Sequence, residues 1–573
     1  MSHQSFLGRA FLGKSSTGSA STPSSGPGPG DALRALLVAL VLARGIVWLC
    51  VLPPFEGWDE YQHLGHVAHV AETGRRAVLN ETRVPSSLLA AVVAHPQPQS
   101  VVDAQLGRFG AVGYEKFWNE HDPRKRGTRP PRWNPGPDVE PILLYQAQHA
   151  PLYYKLASPL YQALGGAGNV AGVTAWLRGI NVALTAAAVV VALGVFRRAF
   201  RSEKAAGLAG LVLATHPLFL LNGARVASDA LGVFLGAWAV ALGLGLIAPK
   251  GARRFALRSA GLGVVVGLAV LAKASNLALL PFVGLAWMIG VRRHQVTTRR
   301  AAMSALLLPL GFLSVTQAEM RFNLGGFGTL TAMQEAVINR REGRTTAEFL
   351  AATAQFDWFT TIRRLWVREL FFAGGWSALR PFPGAIKAYQ FGATLGLVGW
   401  GWLGALRLLG PRNQGARAIG PFRDPWVPLS FLVIVLSFSA GIGYHMVQSV
   451  LAWGQVTTNP WYACPASPWF LGLVVAGGLA WPRGGWIVPV SLAMAGLAVE
   501  FVAIWGSMTY VYSGGATGLE ALDRLAWSRP SALGTVTLFG ASTLVVILVA
   551  AIALTLRPGS PASEQEHRKV VRV

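Results

Sequence analysis

Between residues 32 and 556 the chain returns repeatedly to long runs with almost no charge. A helical run of roughly twenty residues, at ~1.5 Å per residue, covers the ~30 Å hydrocarbon core of a bilayer. In hydrocarbon every backbone N–H and C=O needs an internal partner, so isolated runs of this length must be helices. Only 13% of the 573 residues are charged and the mean hydropathy is +0.42. A soluble chain carries about 25% charged residues. The sequence therefore predicts an all-α polytopic membrane protein.

Twelve spans, give or take two, are expected near 32–52, 172–196, 205–221, 229–247, 259–272, 276–290, 301–318, 386–406, 426–447, 468–481, 486–505 and 533–556. Residues 1–30 are rich in Ser, Gly and Pro, without an apolar stretch, and read as a disordered cytoplasmic tail. The first apolar run is too long for a signal-peptide core, and no small-residue cleavage site follows it. It is expected to remain as a span. The chain then divides into that tail, a transmembrane domain over 31–556 and a basic cytoplasmic tail over 557–573.

The formal net charge of +24 follows a topological pattern. Four basic residues gather in each of the loops 197–204 (Arg197, Arg198, Arg201, Lys204), 250–258 (Lys250, Arg253, Arg254, Arg258), 292–300 (Arg292, Arg293, Arg299, Arg300) and 407–423 (Arg407, Arg412, Arg417, Arg423). With the N-terminus inside, all four face the cytoplasm, as the positive-inside rule requires. The charge implies no nucleic-acid partner. The opposite face receives four longer loops, 53–171, 319–385, 448–467 and 506–532, which hold most of the carboxylates. Interfacial helices are expected on them. The two cysteines, Cys50 and Cys464, are too few for a disulfide framework or a thiolate metal cluster.

Candidate chemistry sits at that outer face. The first loop opens Pro53-Pro54-Phe55-Glu56-Gly57-Trp58-Asp59-Glu60-Tyr61-Gln62-His63, and 58–72 read as a short helix. A carboxylate there can take a proton from a hydroxyl or ligate a hard cation. The plainer account of Asp59 is a helix N-cap. The loop ends Tyr145-Gln146-Ala147-Gln148-His149-Ala150-Pro151-Leu152-Tyr153-Tyr154. The tyrosines suit interfacial anchors, and His149 could hydrogen-bond a phosphate or a sugar. Arg225, Asp229 and Lys273 sit in short outer connections, where helix capping and snorkelling are the alternatives to function. Charges at membrane depth are costly unless paired or used. Arg178, inside the second span, is expected to pair with a first-loop carboxylate. Glu500 is expected to be paired or to lie beyond a misjudged span end. The stretch 361–372, with Arg363, Arg364 and Arg368 among aromatics, has the spacing of an amphipathic surface helix. The basic, Pro-rich 122–137 reads as an irregular loop.

The order of P-P-x-E-x-x-D-E-x-x-H at 53–63, Q-H-x-P-L-Y-Y at 148–154, R-V-x-S-D-A at 225–230 and L-A-K-x-S at 271–275 resembles bacterial GT-C fold glycosyltransferases. Among these are mannosyltransferase-like and lipid A aminoarabinose-transferase-like enzymes. The similarity covers mainly 32–290. Phe371-Phe372-Ala373-Gly374-Gly375-Trp376 and Asn459-Pro460-Trp461-Tyr462-Ala463-Cys464-Pro465 resemble later family segments, with Trp461 where an Arg is usual. The resemblance implies a transferase in the bacterial cytoplasmic membrane, using a polyprenyl-phosphate sugar and a glycan, lipid or protein acceptor. Asp59 would be the general base. Glu60 would orient the acceptor or share a divalent cation with Asp59. Asp229 would be the second catalytic acid. Arg225, Lys273 and His149 would hold the donor phosphate, and His63, Tyr153 and Tyr462 would line the substrate. A secondary transporter or a lipid flippase is the rival reading, though no internal repeat is visible.

Overall fold

The computed structural model describes residues 29–121, 129–248, 254–372, 374–377, 379, 382–409, 421–482 and 484–556. Most of the N-terminal tail, all of 557–573, residues 122–128 and parts of the basic loops at 250–258 and 407–423 lie outside the described residues.

Among the described residues the long elements are all helices. The first span is α1 (Pro29–Val51), and the first loop adds α2 (Glu60–Thr73) and α3 (Leu152–Ala163). Then follow α4 (Val170–Ala199), α5 (Glu203–Ala214), α6 (Pro217–Gly223), α7 (Asp229–Ile247), α8 (Phe255–Ala272), α9 (Leu280–Arg293) and α10 (Thr298–Phe327). The second half comprises α11 (Gln334–Arg341), α12 (Pro383–Leu409), α13 (Trp426–Trp453), α14 (Ser467–Gly478), α15 (Ile487–Val502) and α16 (Thr535–Leu556).

Nine segments among the described residues are long and apolar enough to cross a membrane, or ten if α5 and α6 form one span bent by 58°. Ten falls within the expected range. The expected span at 386–406 is helix α12. The one at 468–481 is corrected. Helix α14 has 12 residues and all of them are buried. At ~1.5 Å per residue it is roughly 18 Å long, too short for a ~30 Å core. Its sequence is apolar because protein surrounds it. Cys50 and Cys464 are both buried free thiols, Cys464 within a short 3-10 turn at 460–466.

One large apolar core joins α1, α4, α5, α7 and α12 to α15. Helices α8 and α10 approach closely: a Cβ at Gly267 would stand 2.9 Å from the Phe312 carbonyl oxygen. Small residues permit such packing where no hydrophobic effect drives helices together. The first loop has a core of its own, in which Phe55, Tyr61, Leu64 and Val67 pack on Leu88, Val92, Leu144 and Tyr154. It is a folded unit on the end of the bundle. In the second loop a helix over 358–364 passes into a π turn over 365–369, where Leu365, Trp366 and Val367 are buried in the protein core while Arg363, Arg364 and Arg368 are exposed.

The bend between α5 and α6 leaves the Ala214 and Thr215 carbonyls without helical partners, because the N–H groups of Leu218 and Phe219 go to the Phe371 carbonyl and to His216 Nδ1. Arg44 of α1 fills the gap, donating to the Ala214 and Thr215 oxygens. Its Nε also donates to Glu500 Oε2 at 2.6 Å, so the intramembrane acid is paired. Breaking a buried pair from one side costs roughly 3–5 kcal/mol, because the surviving charge stays buried. Glu500→Leu is therefore expected to lower the thermal midpoint in detergent far more than Arg44→Leu with Glu500→Leu together lowers it beyond the Arg44→Leu single change. A midpoint for Glu500→Leu equal to wild type would remove the pair from the fold's supports.

Candidate active site

The turn that joins α1 to α2 is strained. Phe55 and Asp59 have φ of 70° and 59°, left-handed values that non-glycine residues seldom adopt. Buried carboxylates on either side hold the turn. Glu60 is fully buried and accepts from Arg178 Nε at 2.7 Å and Nη2 at 2.5 Å. It also accepts from the backbone N–H of Phe55 at 2.9 Å and of Val226 at 2.8 Å. Arg178 in turn donates to the carbonyls of Leu52 at 2.6 Å and Pro53 at 2.7 Å. Glu56, just ahead, accepts from Tyr114 Oη at 2.7 Å, from the Ser377 N–H at 2.8 Å and from Ser377 Oγ at 3.0 Å. The first loop is thereby tied to α4, to the 224–228 connection and to the second loop.

This geometry decides the capping question. Asp59 occupies the N-cap position of α2, but its side chain makes no cap hydrogen bond. The left-handed backbone turns the carboxylate elsewhere, to Tyr145, whose Oη donates to Oδ1 at 2.5 Å. Burial raises the Asp59 carboxyl above the usual aspartate range, and the Tyr145 hydrogen bond with the nearby Arg225 and Lys273 charges draws it back.

Arg225, Asp229 and Lys273 meet. Arg225 Nη2 donates to Asp229 Oδ2 at 3.0 Å, and Lys273 Nζ donates to the same oxygen at 3.2 Å. Neither cation snorkels: Arg225 is 1% exposed and Lys273 5%. Arg225 is further engaged by the Trp58 carbonyl at 2.6 Å and by Asn222 Oδ1 at 2.7 and 3.0 Å. Ser228 holds the N-cap position of α7 without a side-chain cap bond, so neither it nor Asp229 acts as a cap through its side chain. Trp461 stacks on Trp58 at 4.3 Å between centroids, and the Lys273 ammonium stands 5.5 Å from the Tyr462 ring centre.

A cavity of ≈ 260 Å³ opens beside this network. Lys273, His149, Gln148, Tyr462 and His445 line it together with Ser275, Ser437 and the apolar Leu277, Ala278, Phe438 and Ile442. Asp59 and Asp229 are not in its wall. His63 and His149 stack in parallel at 5.5 Å. Burial and the neighbouring positive charges hold both imidazoles well below their ordinary value, so both are neutral at pH 7. His63 Nδ1 is 2.8 Å from Tyr154 Oη, and Tyr153 Oη accepts from Asn181 at 3.1 Å. Both tyrosines are buried in the first-loop core, so neither is an interfacial anchor.

Two residues escape the sequence. Glu335 of α11 accepts from Thr457 at 3.2 Å and lies 3.7 Å from His445 Nε2. His445 is a lone histidine inside the apolar run 426–447, and that interruption was the available signal. Glu335 had none, because only tertiary packing brings α11 onto α13.

The residues fit a divalent cation poorly. Both Glu60 oxygens are taken by Arg178 and backbone N–H groups, and Asp59 faces two cations. Among the described residues no group of three or more His, Cys, Asp or Glu is placed to hold a metal ion.

No protein-family model matches this chain, and no curated protein does. Among solved structures it is similar to ArnT from Cupriavidus metallidurans bound to undecaprenyl phosphate, at 14% identity and a TM-score of 0.42, over 91% of this chain and 73% of that one. The apo state of ArnT gives 12% identity and a TM-score of 0.39, over 92% and 74%. An Archaeoglobus fulgidus oligosaccharyltransferase in complex with Zn and sulfate gives 14% and 0.32, over 86% of this chain and 55% of that one. Identities this low carry no site residue across.

Glu56 supplies a test of the strained turn. Burial pushes its carboxyl up to about 7 from an ordinary 4.5, against the hydrogen bonds from Ser377 and Tyr114. A raised value in the folded state means that the protonated acid stabilises the fold. That contribution is whole below about 4.5 and is lost as pH rises to about 7. The thermal midpoint of the wild type should therefore fall relative to Glu56→Gln as pH rises through this window. A constant difference between the two would show that Glu56 does not titrate there.

Proposed function

We propose that this protein is a membrane glycosyltransferase. It moves a sugar from a polyprenyl-phosphate donor to a hydroxyl of a glycan, lipid or protein acceptor, at the outer face of a bacterial cytoplasmic membrane. The observation that carries the reading is one cavity of mixed lining. Lys273 and the neutral His149 share its wall with apolar surface from Leu277, Ala278, Phe438 and Ile442. A lipid phosphate needs those surroundings side by side: a cation and an N–H donor for the head, hydrocarbon for the tail.

The chemistry follows from the residues. Asp59 accepts the acceptor's hydroxyl proton as the acceptor oxygen bonds to the anomeric carbon. The bond from that carbon to the phosphate oxygen breaks, and its electron pair leaves on the polyprenyl phosphate. Lys273 stabilises the charge that gathers there, and an imidazole N–H of His149 hydrogen-bonds the same group. Tyr462 walls the sugar beside them. Arg225 has four of its five N–H donors engaged by protein, so with Asp229 it positions Lys273 and the Trp58–Asp59 backbone. Glu60 and His63 support the turn from behind, and Tyr153 braces Asn181.

The test uses the full chain in lipid nanodiscs with a labelled polyprenyl-phosphate sugar. Asn tolerates a left-handed backbone, so Asp59→Asn should fold. It should still bind donor but transfer sugar about 10²–10⁴-fold more slowly. Lys273→Ala should weaken donor retention and slow transfer together. Full activity in Asp59→Asn would overturn the base assignment. Wild-type protein that retains no lipid-linked sugar would sink the transferase reading itself.

A further inference from the structure

A second cavity lies away from this site, at the end of the bundle that carries the basic loops. It measures ≈ 670 Å³ and opens between α5, α15 and α16. Each helix gives it one stripe at helical spacing: Leu208 and Leu211, Val490 and Leu497, Val549 and Ala553. From Val490 to Leu497 the groove descends about 10 Å at ~1.5 Å per residue, well into one leaflet of a ~30 Å core. Its mouth is different. Arg201, Ser202 and Lys204 border it, with Trp486 half-exposed beside them.

The mouth is basic. Arg201 Nε donates to the Phe422 carbonyl at 3.0 Å. Glu203, the one acid nearby in sequence, is drawn away by Arg197 at 2.8 Å. Lys204 is exposed at the first turn of α5. A tryptophan at this level marks a membrane interface. A void of this kind inside a bilayer fills with hydrocarbon, and basic residues at its rim select the headgroup.

We propose that this groove is a structural site for one anionic phospholipid of the surrounding membrane. An acyl chain lies between α5, α15 and α16, and the phosphate rests on Lys204 at the groove's mouth. By the positive-inside rule the lipid belongs to the cytoplasmic leaflet, on the side away from the Lys273 cavity. The inference does not depend on the transferase reading.

Native mass spectrometry of the delipidated full chain tests it, with phosphatidylglycerol and phosphatidylcholine of identical chains added separately. Phosphatidylglycerol should be retained as a single adduct in preference to phosphatidylcholine. Lys204→Gln should weaken that retention about fivefold and leave phosphatidylcholine unchanged. Ala553→Trp, at an exposed position in the groove, should abolish the adduct with either lipid. Equal retention of the two lipids would refute the headgroup assignment, and an undiminished adduct in Ala553→Trp would refute the groove. Displacement of the adduct by polyprenyl phosphate would overturn the proposal in favour of a second donor-lipid site.

Discussion

The buried contact between Glu60 and Arg178 is the constraint on which the outer face depends. A carboxylate and a guanidinium removed from water are stable only when every remaining lone pair and proton has a partner. Here the partners are backbone groups of Leu52, Pro53, Phe55 and Val226. The pair therefore fixes chain path as well as charge. It draws the end of α1, the strained 53–59 turn, α4 and the 224–228 connection to a single point. Asp59 and Arg225 inherit their positions from that point, and through Asp229 so does Lys273.

The cavity and the charge network are neighbours with separate tasks. Lys273 is the one residue of the Arg225–Asp229–Lys273 cluster that reaches the cavity wall. Asp229 holds it from behind, and Arg225 balances Asp229. The Trp58–Trp461 stack and the Lys273–Tyr462 contact link this cluster to the third loop. Three loops distant in sequence thus close around one cavity.

Much of this was legible in the sequence, for reasons that differ by residue. Span positions follow from hydropathy, because bilayer thickness imposes a length on apolar runs. Helix α14 misled, since a buried core helix is as apolar as a spanning one. The pairing of Arg178 with a first-loop acid was expected, because a charge within a span demands a partner. The partnership of Arg44 with the α5–α6 bend was not, because nothing local announces that Ala214 and Thr215 will lack donors. Glu335 was missed for a similar reason: its meeting with His445 is set by how the second loop folds back on α13. Local pattern favours a cap at Asp59, yet its side chain makes no cap bond. The carboxylate goes to Tyr145 instead, a partner that no short window of sequence around Asp59 contains.

The left-handed backbone at Asp59 sets a limit on substitution that is narrower than chemistry alone would set. Only glycine, asparagine and aspartate enter that conformation readily. Glutamate carries the same charge and the same basicity, yet its longer side chain belongs to the residues that resist such a turn. A library scored for folded protein should keep those three amino acids at this site and lose glutamate.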